Sequence, residues 1–89
     1  MTKTVWVFTG EQSRLPAGVF TTREAAESWI RERGLSGTLS EFPLDMGTYD
    51  HAVSEGLFTP RNPHELTAAF IADFSPRLYH DHWQDGAPE

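Results

Sequence analysis

The chain has 89 residues, contains no cysteine, and carries a formal net charge of −6, from 7 Lys and Arg against 13 Asp and Glu. This length holds one hydrophobic core, and without cysteine neither a disulfide framework nor a thiolate zinc site can form. The negative charge disfavours nucleic acid and anionic lipid membranes as partners.

The N-terminal segment and the composition predict a globular cytoplasmic protein. Residues 5–8 (VWVF) are only four consecutive apolar residues, fewer than the core of a signal peptide needs. No run approaches the ~20 apolar residues of a membrane span. With 38% hydrophobic residues, including three Trp and six Phe, the chain can build a core without external staples.

The first predicted elements are two strands joined by a polar loop. Residues 4–9 (TVWVFT) are β-branched and aromatic and are apolar on both faces, which predicts a central strand. Residues 10–16 (GEQSRLP) are a polar connection with Gly and Pro at its ends, and residues 17–20 (AGVF) predict a short second strand. We expect the two strands to pair as a hairpin with a long loop.

A helix is predicted over residues 22–33. A threonine hydroxyl can cap its first turn, Glu24 can reach back to the cap, and Gly34 is a typical C-terminal stop. Glu27 and Arg31 have the i, i+4 spacing of a helical ion pair. The apolar residues that recur on one helical face are Ala25, Ala26, Trp29 and Ile30.

Residues 37–44 (GTLSEFPL) predict a third strand, which lies at a sheet edge or ends at Pro43 because proline lacks an amide donor. A short helix is predicted next, capped by Asp45 or Thr48 and closed by Gly56. One face of it carries Tyr49, Ala52, Val53 and Leu57. Asn62, followed by Pro and Glu, marks the start of a third helix, whose apolar stripe ends before the proline at position 76.

The last part of the chain predicts one extended segment at residues 78–83, either a short strand or an ordered tail, with a frayed tail at residues 84–89. The chain therefore predicts one globular domain over residues 1–83. Its fold class is α+β: a small, mainly antiparallel sheet of three to four strands with about three helices packed on one face.

One family resemblance is carried by three stretches of sequence. Residues 18–30 (GVFTTREAAESWI) look like a strand-to-helix unit, residues 5–11 (VWVFTGE) precede it, and residues 37–45 (GTLSEFPLD) follow it. Over residues 5–58 the chain resembles a small uncharacterised bacterial domain family of unknown function. The resemblance implies a fold, and it transfers no catalytic residue to this chain.

Three residues are candidates for binding a partner. Glu11 and Arg14 lie in the loop between the first two strands, where binding groups are often displayed on a rigid frame, and Arg14 can pair with a carboxylate or phosphate. An ordinary polar connection explains the same residues. Trp83 either docks the C-terminal segment onto the domain or is available to a partner.

His80 and His82 are candidate metal ligands. In an extended segment, residues two apart project from one face, so both imidazoles can hold adjacent positions on a zinc or nickel ion. A third ligand would have to come from His64, His51 or a neighbouring aspartate. A surface histidine pair without a physiological metal is the simpler interpretation.

Asp45, Tyr49, Asp50 and His51 lie around a turn and a helix start, where an acid, a phenol and an imidazole can share proton transfer. Helix capping, core packing and the helix dipole explain the same residues without catalysis. The sequence contains no nucleophile elbow, phosphate-binding loop or dinucleotide fingerprint. We therefore predict no catalytic residue and no cofactor.

These observations favour a noncatalytic protein-interaction module, of the accessory or immunity type, over an enzyme. Residues 62–89 contain five acidic residues and one arginine, which suits a basic protein surface and is equally explained by solubility alone. The alternative is a metal-binding or metal-sensing domain that uses His80 and His82. A third hypothesis is a small hydrolase or isomerase that uses Asp50 or His51, and the oligomeric state stays open.

Overall fold

Five strands, three α-helices and one 3-10 helix form within residues 3–75 and 79–89, the part of the chain that the computed structural model describes. The strands are β1 (Thr4–Gly10), β2 (Pro16–Phe20), β3 (Gly37–Pro43), β4 (His80–Gln84) and β5 (Ala87–Pro88). The helices are α1 (Arg23–Arg33), α2 (Thr48–Ser54), a 3-10 helix (Pro63–Leu66) and α3 (Ala68–Ala72). The mixed α+β class is confirmed.

The chain divides into two compact units. The described part of the first consists of residues 3–44 and 79–89, and that of the second consists of residues 45–75. The first unit contains α1 and all five strands, and the second contains the remaining helices. In the described residues, no helix is long and apolar enough to cross a bilayer.

The strands of the first unit form one antiparallel sheet in the order β2-β1-β3-β4-β5. The predicted central position of β1 and its hairpin with β2 are both confirmed. β3 lies inside the sheet, and Pro43 is its last residue. Of the two predicted alternatives, an edge position or an end at Pro43, the second is therefore observed.

The prediction of three to four strands is wrong, because the C-terminal segment supplies two strands. β4 pairs with β3 through the register Gly37↔Trp83 and Leu39↔Asp81, and β5 pairs with β4. Asp85 and Gly86 have φ values of 51° and 82°, which is the backbone twist of a tight two-residue hairpin turn. The Asp-Gly pair is a known hairpin signal. Residues 84–89 were nevertheless expected to be a frayed tail, whereas they contain β5.

The core of the first unit lies between α1 and the sheet. Its buried members are Phe8, Ala26, Ile30, Leu39 and Trp83, and Trp29 packs against them. Thr22 caps α1 by accepting a hydrogen bond from the Ala25 amide, 3.1 Å away, and Gly34 ends the helix in the left-handed conformation. These caps confirm the predicted helix bounds to within one residue.

The hairpin of β4 and β5 is attached to the connection between α1 and β3. The Gly86 amide donates to the Leu35 carbonyl at 2.9 Å, and the Asp85 amide donates to Ser36 Oγ at 2.9 Å. A Cβ atom at position 86 would lie 2.9 Å from the Gly34 Cα atom, so this approach requires glycine. The turn therefore packs directly on the C-terminal end of α1.

In the second unit, the predicted third helix is interrupted at Thr67. This residue has extended backbone angles (φ −80°, ψ 154°), and its hydroxyl accepts a hydrogen bond from the Phe70 amide at 3.2 Å. Asn62 caps the preceding 3-10 helix in the same way, by accepting from the Glu65 amide at 3.3 Å. Since the Thr67 side chain offers a second cap, the segment forms two short helices instead of one.

An aromatic cluster holds the second unit together. Its rings belong to Tyr49, Phe58, Phe70 and Phe74, with centroid separations between 5.0 and 6.2 Å. The Tyr49 hydroxyl donates to the Glu65 carbonyl at 2.8 Å, and Thr48 Oγ1 donates to the Phe74 carbonyl at 3.1 Å. These two bonds tie α2 to the segment that follows it.

Candidate functional site

The loop between β1 and β2 displays Glu11 and Arg14 to solvent, as the sequence suggested. Its backbone is anchored at two points: the Glu11 amide donates to the Ser36 carbonyl at 3.2 Å, and the Ser13 amide donates to the Gly10 carbonyl at 3.0 Å. Neither charged side chain forms an ion pair with another described residue. Both charged side chains therefore project from a loop whose backbone is held in place.

β2 is an edge strand that follows this loop directly, and Leu15 just before the strand and Val19 within it are exposed. Leu15 is 74% exposed and Val19 is 63% exposed, and the strand PAGVF contains no charged residue. Pro16 and a bulge between Phe8 and Thr9 protect only the beginning of the strand from pairing. We call Glu11, Arg14, Leu15 and β2 together the edge surface.

The sequence did not point to Leu15 or Val19. The only sign was the alternation within a five-residue strand, and which strands lie at an edge depends on long-range pairing. An exposed edge strand without charged residues lacks the usual protection against pairing with another strand.

Trp83, proposed as a possible partner contact, is only 1% exposed. It stands opposite Gly37 and packs into the core of the first unit, with the Arg31 guanidinium 5.3 Å from its ring centroid. Of its two expected roles, the structure supports docking of the C-terminal segment. Alternation along β4 directs the side chains of residues 81 and 83 inward and thereby buries the indole.

His80 and His82 project together from the opposite face of β4, where both are exposed. Their ring centroids are 5.6 Å apart, and His82 Nδ1 lies 3.4 Å from Thr38 Oγ1 on the neighbouring strand. Among residues 3–75 and 79–89, no group of three His, Cys, Asp or Glu side chains has the geometry to hold a metal ion. The described residues thus supply two adjacent imidazoles.

The four residues considered for proton transfer differ in their exposure to solvent. Asp45 and Asp50 are exposed, whereas Tyr49 and His51 are each only 7% exposed. The Tyr49 hydroxyl donates a hydrogen bond to the Glu65 carbonyl, which is typical of a packed structural tyrosine. Gly47 caps α2 without a side chain, so the capping expected from Asp45 or Thr48 is not formed.

An aromatic–arginine cluster, formed by Arg23, Trp6 and Tyr79, was not predicted. The Arg23 guanidinium lies 4.2 Å from the centroid of the Tyr79 ring and 5.8 Å from that of Trp6. Its Nη2 donates to the Tyr79 hydroxyl at 2.6 Å, and its Nε donates to Glu27 Oε2 at 2.8 Å. Cation–π contacts of this kind join the start of α1 to the segment before β4.

The cluster changes the proton affinity of two of its members. Partial burial raises the pKa of the Tyr79 phenol, the nearby Asp81 carboxylate raises it further, and the Arg23 charge opposes the rise. The hydrogen bond to Glu27 raises the pKa of Arg23, so the guanidinium stays charged. No sequence pattern joins residues 23 and 79, which are 56 positions apart.

Comparison with protein families matches residues 5–89 to a family described as Domain of unknown function (DUF7710). The chain belongs to this family. The predicted resemblance to a small uncharacterised family is thereby confirmed, and the DUF7710 match extends beyond residue 58 to include the C-terminal hairpin. No curated protein and no solved structure matches the chain. The DUF7710 description names no activity, substrate or partner.

Proposed function

We propose that this chain is a noncatalytic protein-interaction module, acting as an accessory or immunity-type partner in the cytoplasm. The observation that carries the proposal is the exposure of Leu15 (74%), just before the uncharged edge strand β2, and of Val19 (63%) within it. Exposed backbone groups at a sheet edge supply affinity for an extended segment, and alternate side chains supply selectivity.

The partner we propose is an extended segment of another protein that adds a strand beside β2. An apolar side chain of that segment would pack on Val19, and its flanking polar groups would meet Glu11 and Arg14. The net charge of −6 favours a basic partner, because it raises the rate of encounter with positive surfaces.

Photo-crosslinking in the native host tests this proposal. A photoreactive residue at position 15 should capture one partner protein, and Val19→Lys in the same chain should reduce that capture about tenfold, because a lysine on an edge strand opposes strand addition. Val53→Lys is the matched control, since Val53 is an exposed valine of α2, and it should leave capture unchanged.

Three results would count against the proposal: no captured protein above a non-irradiated sample, equal capture by the Val19→Lys variant, or capture of a second copy of this chain alone. The last result would indicate self-association through β2 instead of a heterologous interaction.

A second candidate function is the binding of a zinc or nickel ion by His80 and His82. The exposed pair on one strand face, with ring centroids 5.6 Å apart, supports it. Because the described residues supply only two such ligands, water or another molecule would complete the coordination.

Metal content measured on tag-free protein tests this second candidate. Protein dialysed against zinc should retain the metal, the His80→Ala, His82→Ala double variant should lose it, and His64→Ala should behave as the parent chain. Equal zinc content in the double variant and the parent would exclude the site.

A further inference from the structure

The exposed histidine pair of β4 has a spacing that fits one tetrahedral zinc ion. His80 and His82 project from the same face of the strand, and their ring centroids are 5.6 Å apart. Two imidazoles bound to one tetrahedral zinc ion, with Zn–N bonds of about 2.0–2.1 Å, have ring centroids about 5 Å apart. The two rings are therefore already close to the positions of two adjacent zinc ligands.

Thr38 on the neighbouring strand orients one of the two rings. Its Oγ1 atom lies 3.4 Å from His82 Nδ1, across the register that pairs Thr38 with His82. When the Nδ1–H group donates to this hydroxyl, the lone pair of the imidazole is on Nε2. Histidines that bind a metal usually hold their other ring nitrogen in such a hydrogen bond, so this contact favours the tautomer that binds zinc through Nε2.

The site is incomplete within one chain. In the described part of the sequence, no third His, Cys, Asp or Glu side chain joins the pair in a geometry that could hold a metal ion. A structural zinc site almost always has four ligands, so two more are required. A second copy of the chain supplies the same pair of imidazoles, and a two-fold axis through the ion would bring both pairs to it.

The strand surface around the histidines is suitable for contact between two copies. Neutral side chains share the face of the histidines on β3 and β4, namely Thr38, Ser40 and Gln84. Asp81 is paired with Leu39 and lies on the other face. Glu89 brings one carboxylate to this edge of the sheet, since its amide donates to the His82 carbonyl, and the charge of a zinc ion would offset the carboxylates of two copies.

From these features we infer that zinc joins two copies of this chain, with His80 and His82 of each copy forming a site of four imidazoles. The inference rests on the second candidate function proposed above, because it names the molecule that completes the coordination. Without the ion, the net charge of −6 on each chain opposes association. Dimerisation through this face should therefore depend on zinc.

Sedimentation of tag-free protein, with measurement of bound zinc, tests the inference. The parent chain should be a monomer in a chelator and a dimer with one zinc ion per two chains after zinc is added. X-ray absorption at the zinc edge should show four imidazole nitrogens around the ion. The His80→Ala, His82→Ala double variant should stay monomeric, whereas His64→Ala removes an exposed histidine of the second unit and should dimerise as the parent does.

A single replacement tests the contribution of each ligand. His82→Ala leaves one imidazole per copy, so it should weaken zinc-dependent dimerisation by at least about tenfold, because even the loss of an outer hydrogen-bond partner of a ligand has an effect of that size. Dimerisation of His82→Ala at the zinc concentration that suffices for the parent would overturn the inference.

The remaining outcomes separate the inference from the function on which it rests. One zinc ion per monomer, with two imidazoles and water around it, would overturn the inference and leave the metal-binding candidate intact. No retained zinc would overturn both. A dimer that forms equally well without zinc, or in the double variant, would also overturn the inference, because the histidines would not be the link between the copies.

Discussion

Trp83 is among the largest fully buried side chains of the chain, and it buries a polar atom as well as an apolar ring. Its indole Nε1–H has no hydrogen-bond partner within the described residues. A buried donor without a partner lowers the stability that packing would otherwise provide. At this position, the contribution of the side chain therefore comes from ring packing against Ile30, Leu39 and Phe8.

Replacement of Trp83 should separate the effect of ring packing from the effect of the unpartnered indole N–H. We expect Trp83→Ala to lower the free energy of unfolding by about 3–5 kcal/mol, as removal of a large buried ring does. Trp83→Phe should cost much less, because it retains a ring and removes the unpartnered donor. Urea denaturation followed by circular dichroism measures both changes, and similar losses for the two variants would contradict this account of the Trp83 side chain.

At the scale of elements, Arg23 joins the start of α1 to the segment before β4 through the Tyr79 ring and hydroxyl. The Glu41 amide donates to the Tyr79 carbonyl at 2.8 Å, so the backbone of Tyr79 is also fixed on β3. Tyr79 therefore contacts α1 through its ring and hydroxyl, and β3 through its backbone carbonyl.

Stability should fall at alkaline pH through Tyr79. Because its pKa is higher in the folded chain than the ordinary value of 10.0, the folded state holds the phenol proton to higher pH. The stability linked to this proton is complete below pH 10 and is lost as the pH rises through the folded-state pKa.

Tyr79→Phe removes this titration and also the hydrogen bond from Arg23. The variant should be less stable than the parent at neutral pH, and its stability should decline less steeply above about pH 10. Urea denaturation at a series of pH values measures both effects. Parallel stability curves for the parent and the variant would contradict this role for Tyr79.

Local signals were sufficient for the elements whose ends are set by their own residues. Thr22 and Gly34 bound α1, and the β-branched run of β1 gives a strand wherever it pairs. β4 was uncertain because His80, Asp81 and His82 have weak strand preference, and the strand depends on pairing with β3 about forty positions earlier. At Thr67, helical periodicity and local capping compete, and capping prevails.

The candidate sites likewise include features that local sequence predicts and features that depend on long-range pairing. The shared face of His80 and His82 required only the two-residue period of a strand. The edge position of β2 depends on which segments meet in three dimensions. Resemblance to an uncharacterised family constrains the fold and leaves these surfaces unspecified.

At the scale of the whole molecule, the first unit is assembled from two segments that are distant in sequence. Residues 79–89 supply one core side chain and two strands, and the Gly86 and Asp85 amides attach them to Leu35 and Ser36. Within the segment, the Glu89 amide donates to the His82 carbonyl at 2.9 Å. The segment therefore completes the sheet.

Deletion of residues 85–89 tests how much this attachment contributes. The deletion removes several backbone hydrogen bonds at about 0.5–1.5 kcal/mol each, so we expect a loss of about 2–4 kcal/mol in the free energy of unfolding. Glu89→Gln keeps the backbone and should leave stability unchanged. Thermal and urea unfolding measure the difference, and a truncated chain as stable as the parent would indicate that these residues behave as a frayed tail.

The pairing of β3 with β4 also sets the order in which the first unit can fold during synthesis. β1, β2, α1 and β3 leave the ribosome first, but Phe8, Ile30 and Leu39 lack their Trp83 neighbour until β4 follows. At about 5–20 residues per second, the intervening segment takes a few seconds to translate. During that interval the open side of β3 is a second exposed edge, so the nascent chain is most vulnerable to wrong strand pairing just before its last strands emerge.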